Sequence, residues 1–288
     1  MTPVTALEIE PIVPTLGASI HGVDLSQTLS DSAVSAIHTA FLHYGVLFFH
    51  DQSLTPEQQL AFARHFGPIH FHPHVSGLPG QPEVMEILKT EADVLNFGGG
   101  WHTDNMFLAE PALATVLYAR ELPDVGGDTL YACMRGAFQS LSPGMQRLAR
   151  RLRTVNLPDA GRRRGASTGA YAGFGAMNTS RKGSAEQEMV HPLVRTHPET
   201  GEDVLYIGLH TERFADFSDA ESGPLLQFLL DHATRDENRL RFRWRPGTLA
   251  VWDNRRVLHN ALNDYPGKRR RMHRVSTAGD RPFLRQRA

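Results

Sequence analysis

The stretch "LAVWDNRRVLHNAL", residues 249–262, holds two apolar runs of strand length separated by a polar break. "LAVW" follows the turn signal "RPGT" at 245–248 and reads as a buried strand, "WDN" interrupts it, and His259 lies on the β run that follows. The same texture fills the chain from residue 83 onward, in "EVMEIL", "LATVLYAREL", "DTLYA", "MVHPLVRTH", "VLYIGL", "RLRFRW" and "RMHRVST". Helices interrupt at roughly 134–152 and 219–234. Many short strands with few helices favour a barrel or jelly roll over an alternating parallel sheet, so the expected class is α+β.

The first 70 residues predict two helices among short strands. After Ser30, Val34, Ile37, Phe41 and Leu42 share one stripe before Gly45 stops the helix. In "TPEQQLAFARHFG", Thr55 is placed to cap, Pro56 to open the first turn, Gln58 to complete a capping box and Gly67 to end the helix. "ALEIEPI" and "GASIHGVDL" read as half-buried strands, and "VLFFHD" as a buried one. The segment 160–188 stands apart: rich in Gly, Ala and Ser and without hydrophobic period, it reads as a lid or a disordered insertion in a single domain spanning 1–288.

Hydrophobic residues make up 41% and charged residues 21% of the 288, enough to bury a substantial core. A net charge of −1 removes any global electrostatic reason to bind nucleic acid or an anionic membrane. The start, "MTPVTALEIEPIVP", lacks a basic segment followed by an apolar one, and no stretch reaches the roughly 18 apolar residues of a span. A cytoplasmic protein without membrane contact is expected, with room for a homo-oligomer, dimer or tetramer. Cys133 is the single cysteine, so a metal would have to be held by carboxylates and some of the 15 histidines.

Composition alone yields about 1.6 His-x-Asp/Glu triplets, and the chain has three, so the triplet by itself decides nothing. His197/Glu199 sits in the turn "HPETGED", where the two side chains need not share a direction. His102/Asp104, in "GGGWHTDNMF" at 98–107, could lie on an extended segment, where positions i and i+2 project from one face. His210/Glu212 is a geometric rival. A two-His, one-carboxylate site needs a second histidine from a distant strand, and His259 supplies one. Beyond it, in "GKRRRMHRV", strand alternation puts Arg270, Met272 and Arg274 on one face and Arg269, Arg271 and His273 on the other. One arginine pair then suits a carboxylate or sulfonate while the other stays in solvent.

With those residues in view, "WHTD", "VGGDTLYA", "HPLVRTHPETG", "VWDNRRVLHNA" and "RRRMHR" resemble the taurine dioxygenase and 2,4-dichlorophenoxyacetate dioxygenase family of Fe(II)/2-oxoglutarate oxygenases, from about residue 8 to residue 283. The resemblance implies a double-stranded β-helix, a distorted cupin-like jelly roll with flanking helices. It implies that His102, Asp104 and His259 bind Fe(II), that Arg270 and Thr129 hold 2-oxoglutarate with Trp252 close by, and that Arg274, His72 and Trp101 meet a small anionic substrate. It also implies that O2 and 2-oxoglutarate are cosubstrates, with succinate and CO2 as co-products. Val75 and Gly98 stand where taurine oxygenases have a tyrosine and an asparagine, and "LYIGLHTE" at 205–212 is closer to the aryloxyalkanoate branch, so the expected substrate is a sulfonate, sulfate ester or aryloxyalkanoate other than taurine itself. Two other readings stay open on the residues themselves: a Zn(II)-dependent hydrolase or isomerase on the same triad, and a nucleic-acid module built on "GRRRG" and "KRRR".

Overall fold

Val46, Leu47, Phe48 and Phe49 are all completely buried, and such a run can exist only in a strand covered on both faces. The computed structural model, which describes residues 7–72, 75–158 and 188–286, shows what covers them. Its strands are β1 (Glu8–Val13), β2 (Leu16–His21), β3 (Val46–Phe49), β4 (Ile69–His70), β5 (Gly77–Leu78), β6 (Gln81–Lys89), β7 (Ala112–Glu121), β8 (Thr129–Cys133) and β9 (Arg153–Asn156). They continue as β10 (Met189–Pro192), β11 (Val194–Thr196), β12 (Asp203–Leu205), β13 (Thr211–Phe214), β14 (Arg239–Phe242), β15 (Leu249–Asp253), β16 (Val257–Ala261) and β17 (Arg270–Ala278). The helices are α1 (Asp31–Tyr44), α2 (Pro56–Ala63), α3 (Met134–Gln139), α4 (Pro143–Ala149) and α5 (Asp219–Ala233).

The large sheet runs β1-β2-β3-β15-β7-β17-β6-β5, with β4 on β17; β2 and β3 are parallel and the other pairs antiparallel. On its outer face, Leu47, Phe49, Val116, Val251 and Val275 pack against Ile37 and Phe41 of α1 and Leu60 and Phe62 of α2. On its inner face, Phe48, Leu117, Ala250, Trp252 and Met272 meet Tyr131, Leu240 and Phe242 of a second sheet, ordered β14-β8-β16. The pleat sorts alternate residues of β3, β15 and β17 to these two cores. The space between the two sheets is where the candidate ligands converge.

Local signals place the helices. Ser30 caps α1 by accepting from Ala33 N, and Gly45, at φ 72°, ends it in the left-handed conformation. Thr55 and Gln58 form the expected capping box on α2, which closes through one short turn of tighter helix at Arg64–Phe66 before Gly67. The helix expected over 134–152 is instead two, because Ser142 caps a fresh start and Pro143 cannot continue the preceding one. β1, expected half-buried, is exposed along nearly its whole length because it forms the edge of the large sheet. The insertion read over 160–188 lies, apart from Glu188, outside the described residues. Among the described residues no helix is long and apolar enough to cross a membrane.

Candidate active site

His102 and His259 are joined by backbone. His102 N donates to His259 O (3.0 Å) and His259 N to His102 O (2.8 Å), an antiparallel bridge that sets the two imidazoles side by side, centroids 4.1 Å apart. After Thr103 the chain does not stay extended, as the i, i+2 reading expected. It turns at Asp104, with Asn105 in the left-handed region at φ 56°. The turn still aims Asp104 at the pair: its Oδ1 lies 3.8 Å from His102 Nε2 and 3.6 Å from His259 Nε2. One ligand atom from each of the three residues falls within 4.8 Å of the others, and all three residues are buried.

Asn254, on the far side of the "WDN" break, holds this arrangement. Its Oδ1 accepts from Asp104 N (3.2 Å) and from Trp252 Nε1 (3.1 Å), and its Nδ2 donates to Thr115 Oγ1 (3.0 Å). The Thr115 hydroxyl in turn donates to Asp104 Oδ2 (2.6 Å), so Oδ2 is engaged, while Oδ1 faces the histidines and Arg274. His102 Nδ1 lies 2.8 Å from Gly100 O and must be its N–H, which leaves the Nε2 lone pair free to ligate.

Electrostatics agree with a ligand set. Burial pushes the His102 and His259 imidazoles below their ordinary value, so both are neutral near pH 7. Burial alone would raise Asp104, but the Arg274 guanidinium, Nη2 3.0 Å from Oδ1, and then the two imidazoles hold its carboxyl well below the usual range. A carboxylate beside two neutral imidazoles suits a divalent metal such as Fe(II).

His102, His259, Thr129, Trp252, Arg270 and Arg274 line one cavity between the sheets. Trp252 packs its ring 4.7 Å from His259 and 5.7 Å from Tyr131. Thr129 Oγ1 accepts from Trp244 Nε1 (2.9 Å), which fixes the hydroxyl at the cavity wall. Arg270 is 5% exposed, yet its Nε and Nη2 have no hydrogen-bond partner among the described residues, an arrangement that calls for an anion in the cavity. As the alternation required, Arg270, Met272 and Arg274 are buried together, while Arg269 and Arg271 lie outside near Glu121.

Arg274 also faces a second cleft, of about 280 Å³, with His70, His72, Val75, Glu83 and Met85. Trp101 does not join either space; it packs against the core around Leu258 and Ile207. His210 lies 6.3 Å from His102, ring to ring, but its Nδ1 faces the carbonyls of Leu157 and Pro158, and neither it nor Glu212 enters the ligand group. Burial, followed by the neighbouring His102, pushes His210 down to about 4. His197 and Glu199 likewise stay away from the triad. They belong to a buried network in which His197 Nε2 meets Asp253 Oδ2 (2.9 Å) and Arg255 bridges Asp253 and Glu199.

Asn254, Thr115 and Tyr131 were not found by sequence reasoning. Asn254 and Thr115 meet across 139 positions, and only the pairing of β15 with β7 brings them together. The "WDN" break was the available signal, since a polar residue that interrupts a buried strand needs buried partners.

Residues 8–276 match the family model described as taurine catabolism dioxygenase TauD, TfdA family. The chain is 34% identical over 279 residues to an alpha-ketoglutarate-dependent sulfate ester dioxygenase of Pseudomonas putida, covering 96% of this chain and 91% of that one. It is also 34% identical to an (S)-phenoxypropionate/alpha-ketoglutarate-dioxygenase of Sphingobium herbicidovorans, covering 96% of each. The crystal structure of a taurine dioxygenase from Burkholderia xenovorans superposes with a TM-score of 0.79 at 33% identity, over 97% of this chain and 92% of that one. A family match across nearly the whole length, on a fold that gathers two histidines and an aspartate beside an unsatisfied arginine, leaves one conclusion: the chain belongs to the TauD, TfdA family and is a 2-oxoglutarate-dependent dioxygenase.

Proposed function

We infer that this enzyme hydroxylates a small anionic molecule with an apolar tail, a sulfate ester or aryloxyalkanoate rather than taurine, on one catalytic domain whose sheets form a double-stranded β-helix. The observation that carries the reading is the triad in a cavity whose wall includes a buried arginine lacking partners. When bound, Fe(II) with 2-oxoglutarate and O2 supplies the oxidising chemistry that hydroxylates a substrate C–H bond, with succinate and CO2 as co-products.

The chain's own residues do the positioning. His102, Asp104 and His259 would hold the metal, and Thr115 fixes the Asp104 carboxylate through Oδ2. Arg270 and the Thr129 hydroxyl take the distal carboxylate of 2-oxoglutarate, and Trp252 fixes the His259 ring from the side. Arg274 lines both the inner cavity and the outer cleft, so an anionic head held there puts the rest of the substrate between metal and mouth. Val75 and Met85 pack with Ile87 and Phe97 along this path. That apolar strip is what favours an alkyl or aryl tail. His72, its ring 6.1 Å from Phe97, stands at the same cleft.

The test is succinate release by Fe(II)-loaded protein with 2-oxoglutarate and, in turn, an alkyl sulfate, a phenoxypropionate and taurine. The first two should stimulate turnover strongly and taurine little. Glu83 lies on the same cleft, so taurine, with its ammonium group, is the control that matters. Taurine outperforming both would overturn the apolar reading, and no succinate from any of them would overturn the substrate class.

A further inference from the structure

Lys89 is 3% exposed, and its Nζ has no hydrogen-bond partner among the described residues. Such a group is costly: an unpaired buried ammonium loses hydration that nothing in the protein restores. Its place in the sheet gives the reason to keep it. In the antiparallel pairing of β6 with β17, Lys89 stands directly opposite Arg270, so the two side chains share the inner face of the sheet. The ammonium lies over the Tyr265 ring, 4.7 Å from its centroid, and the Arg270 guanidinium lies 6.0 Å from the centroid of Trp244. The nearby carboxylates are already engaged, Asp128 and Asp264 by Arg241 and Glu121 by Arg269 and Arg271. Tyr265 cannot serve as the counter-anion, because burial pushes its phenol up and keeps it neutral. Two buried cations therefore stand side by side, Arg270 lining the cavity and Lys89 next to it in the sheet, and among the described residues no carboxylate is paired with either.

We propose that Lys89 is a second cosubstrate-binding cation, which together with Arg270 neutralises the distal carboxylate of 2-oxoglutarate. The inference rests on the assignment of Arg270 above. It predicts a division of effects that a structural lysine would not show. Lys89→Met keeps the length of the side chain and removes the charge, so the protein without cosubstrate should melt no lower than the parent. Its affinity for 2-oxoglutarate should fall about tenfold.

The experiment is anaerobic titration of Fe(II)-loaded parent, Lys89→Met, Lys89→Arg and Arg270→Ala proteins, read by the visible charge-transfer band, with melting temperatures measured before ligand is added. A parallel titration uses 2-oxovalerate, which has a methyl group in place of the distal carboxylate. Lys89→Met should weaken 2-oxoglutarate but leave 2-oxovalerate unchanged, and Lys89→Arg should recover most of the loss. Equal affinity of parent and Lys89→Met for 2-oxoglutarate, with Arg270→Ala weakened, overturns the role of Lys89 alone. Unchanged binding by Arg270→Ala overturns the clamp assignment and this inference with it. A melting temperature that drops in Lys89→Met also overturns it, since the ammonium would then be supporting the fold.

Discussion

At the scale of single residues, the arrangement rests on Asn254 as much as on the three ligands. Its side-chain oxygen and amide touch Asp104 N, Trp252 Nε1 and Thr115 Oγ1, and Thr115 passes the constraint to Asp104 Oδ2. Outer partners of this kind set ligand orientation, and their loss typically costs roughly 10- to 100-fold in metal affinity. Asn254→Ala should therefore bind Co(II), a spectroscopic substitute for Fe(II), at least tenfold more weakly; a dissociation constant equal to the parent's would show that the turn at Asp104 holds itself. The candidate ligands themselves were legible, since the triplet at 102–104 and the histidine after "WDN" are patterns within single segments. Asn254, Thr115 and Lys89 were not, because each gains its role from a residue on another strand.

At the scale of elements, caps and breaks were the readable part. Ser30, Thr55 and Gln58 do what their positions announced, and the Ser142-Pro143 pair that divides α3 from α4 was present in the chain but outweighed by the apolar run around it. β9 (RTVN) and β13 (TERF) were missed because each is mostly polar, whereas the equally short β3 (VLFF) is a continuous apolar run. The junction of α1 with β3 is the most constrained of these joints. Gly45 sits at φ 72°, and a Cβ there would lie 2.8 Å from Val257 Cγ2 on β16. Its carbonyl also accepts from Asp253 N (2.9 Å), so the same residue anchors the end of β15. Gly45→Ala should lower stability by about 1–3 kcal/mol, from left-handed strain and overpacking together. Urea denaturation measures it, and a loss below about 0.5 kcal/mol, the range of neutral surface changes, would mean that the joint relaxes freely.

At the scale of the molecule, the sandwich of helices, large sheet and small sheet was foreseeable from strand-rich texture, whereas the sheet order was not, because β15, β7 and β17 are neighbours that no local signal pairs. The assembled core carries buried ionisable groups that tie stability to pH. Burial lowers His191 from 6.5 and takes His273 to about 4, so the unfolded chain binds more protons than the native one once pH drops toward 6.5, and stability declines from there. Burial would raise Asp253, but Arg255 and His197 hold it below its ordinary 3.8, so its contribution is present above that value and is lost as pH falls further. The urea midpoint should thus fall in two stages on acidification, and a flat profile between pH 7 and 5 would remove the histidine stage.

Opposing this loss is the effect of ligand. The cavity is lined by Arg270 and Arg274, with Lys89 buried beside Arg270 and Asp104 paired with Arg274, an excess of positive charge that a bound dianion reduces. Binding to the native state alone contributes about 2.7 kcal/mol at one hundred times the dissociation constant. For a chain of this size each kcal/mol moves the melting temperature by about 2–4 °C. Saturating 2-oxoglutarate added anaerobically to the Fe(II)-loaded enzyme should therefore raise its melting temperature by about 5–10 °C, and by clearly less in Arg270→Ala. The same shift in both proteins would mean that the cosubstrate stabilises the fold through its metal-chelating end, and that the buried cations answer to some other anion.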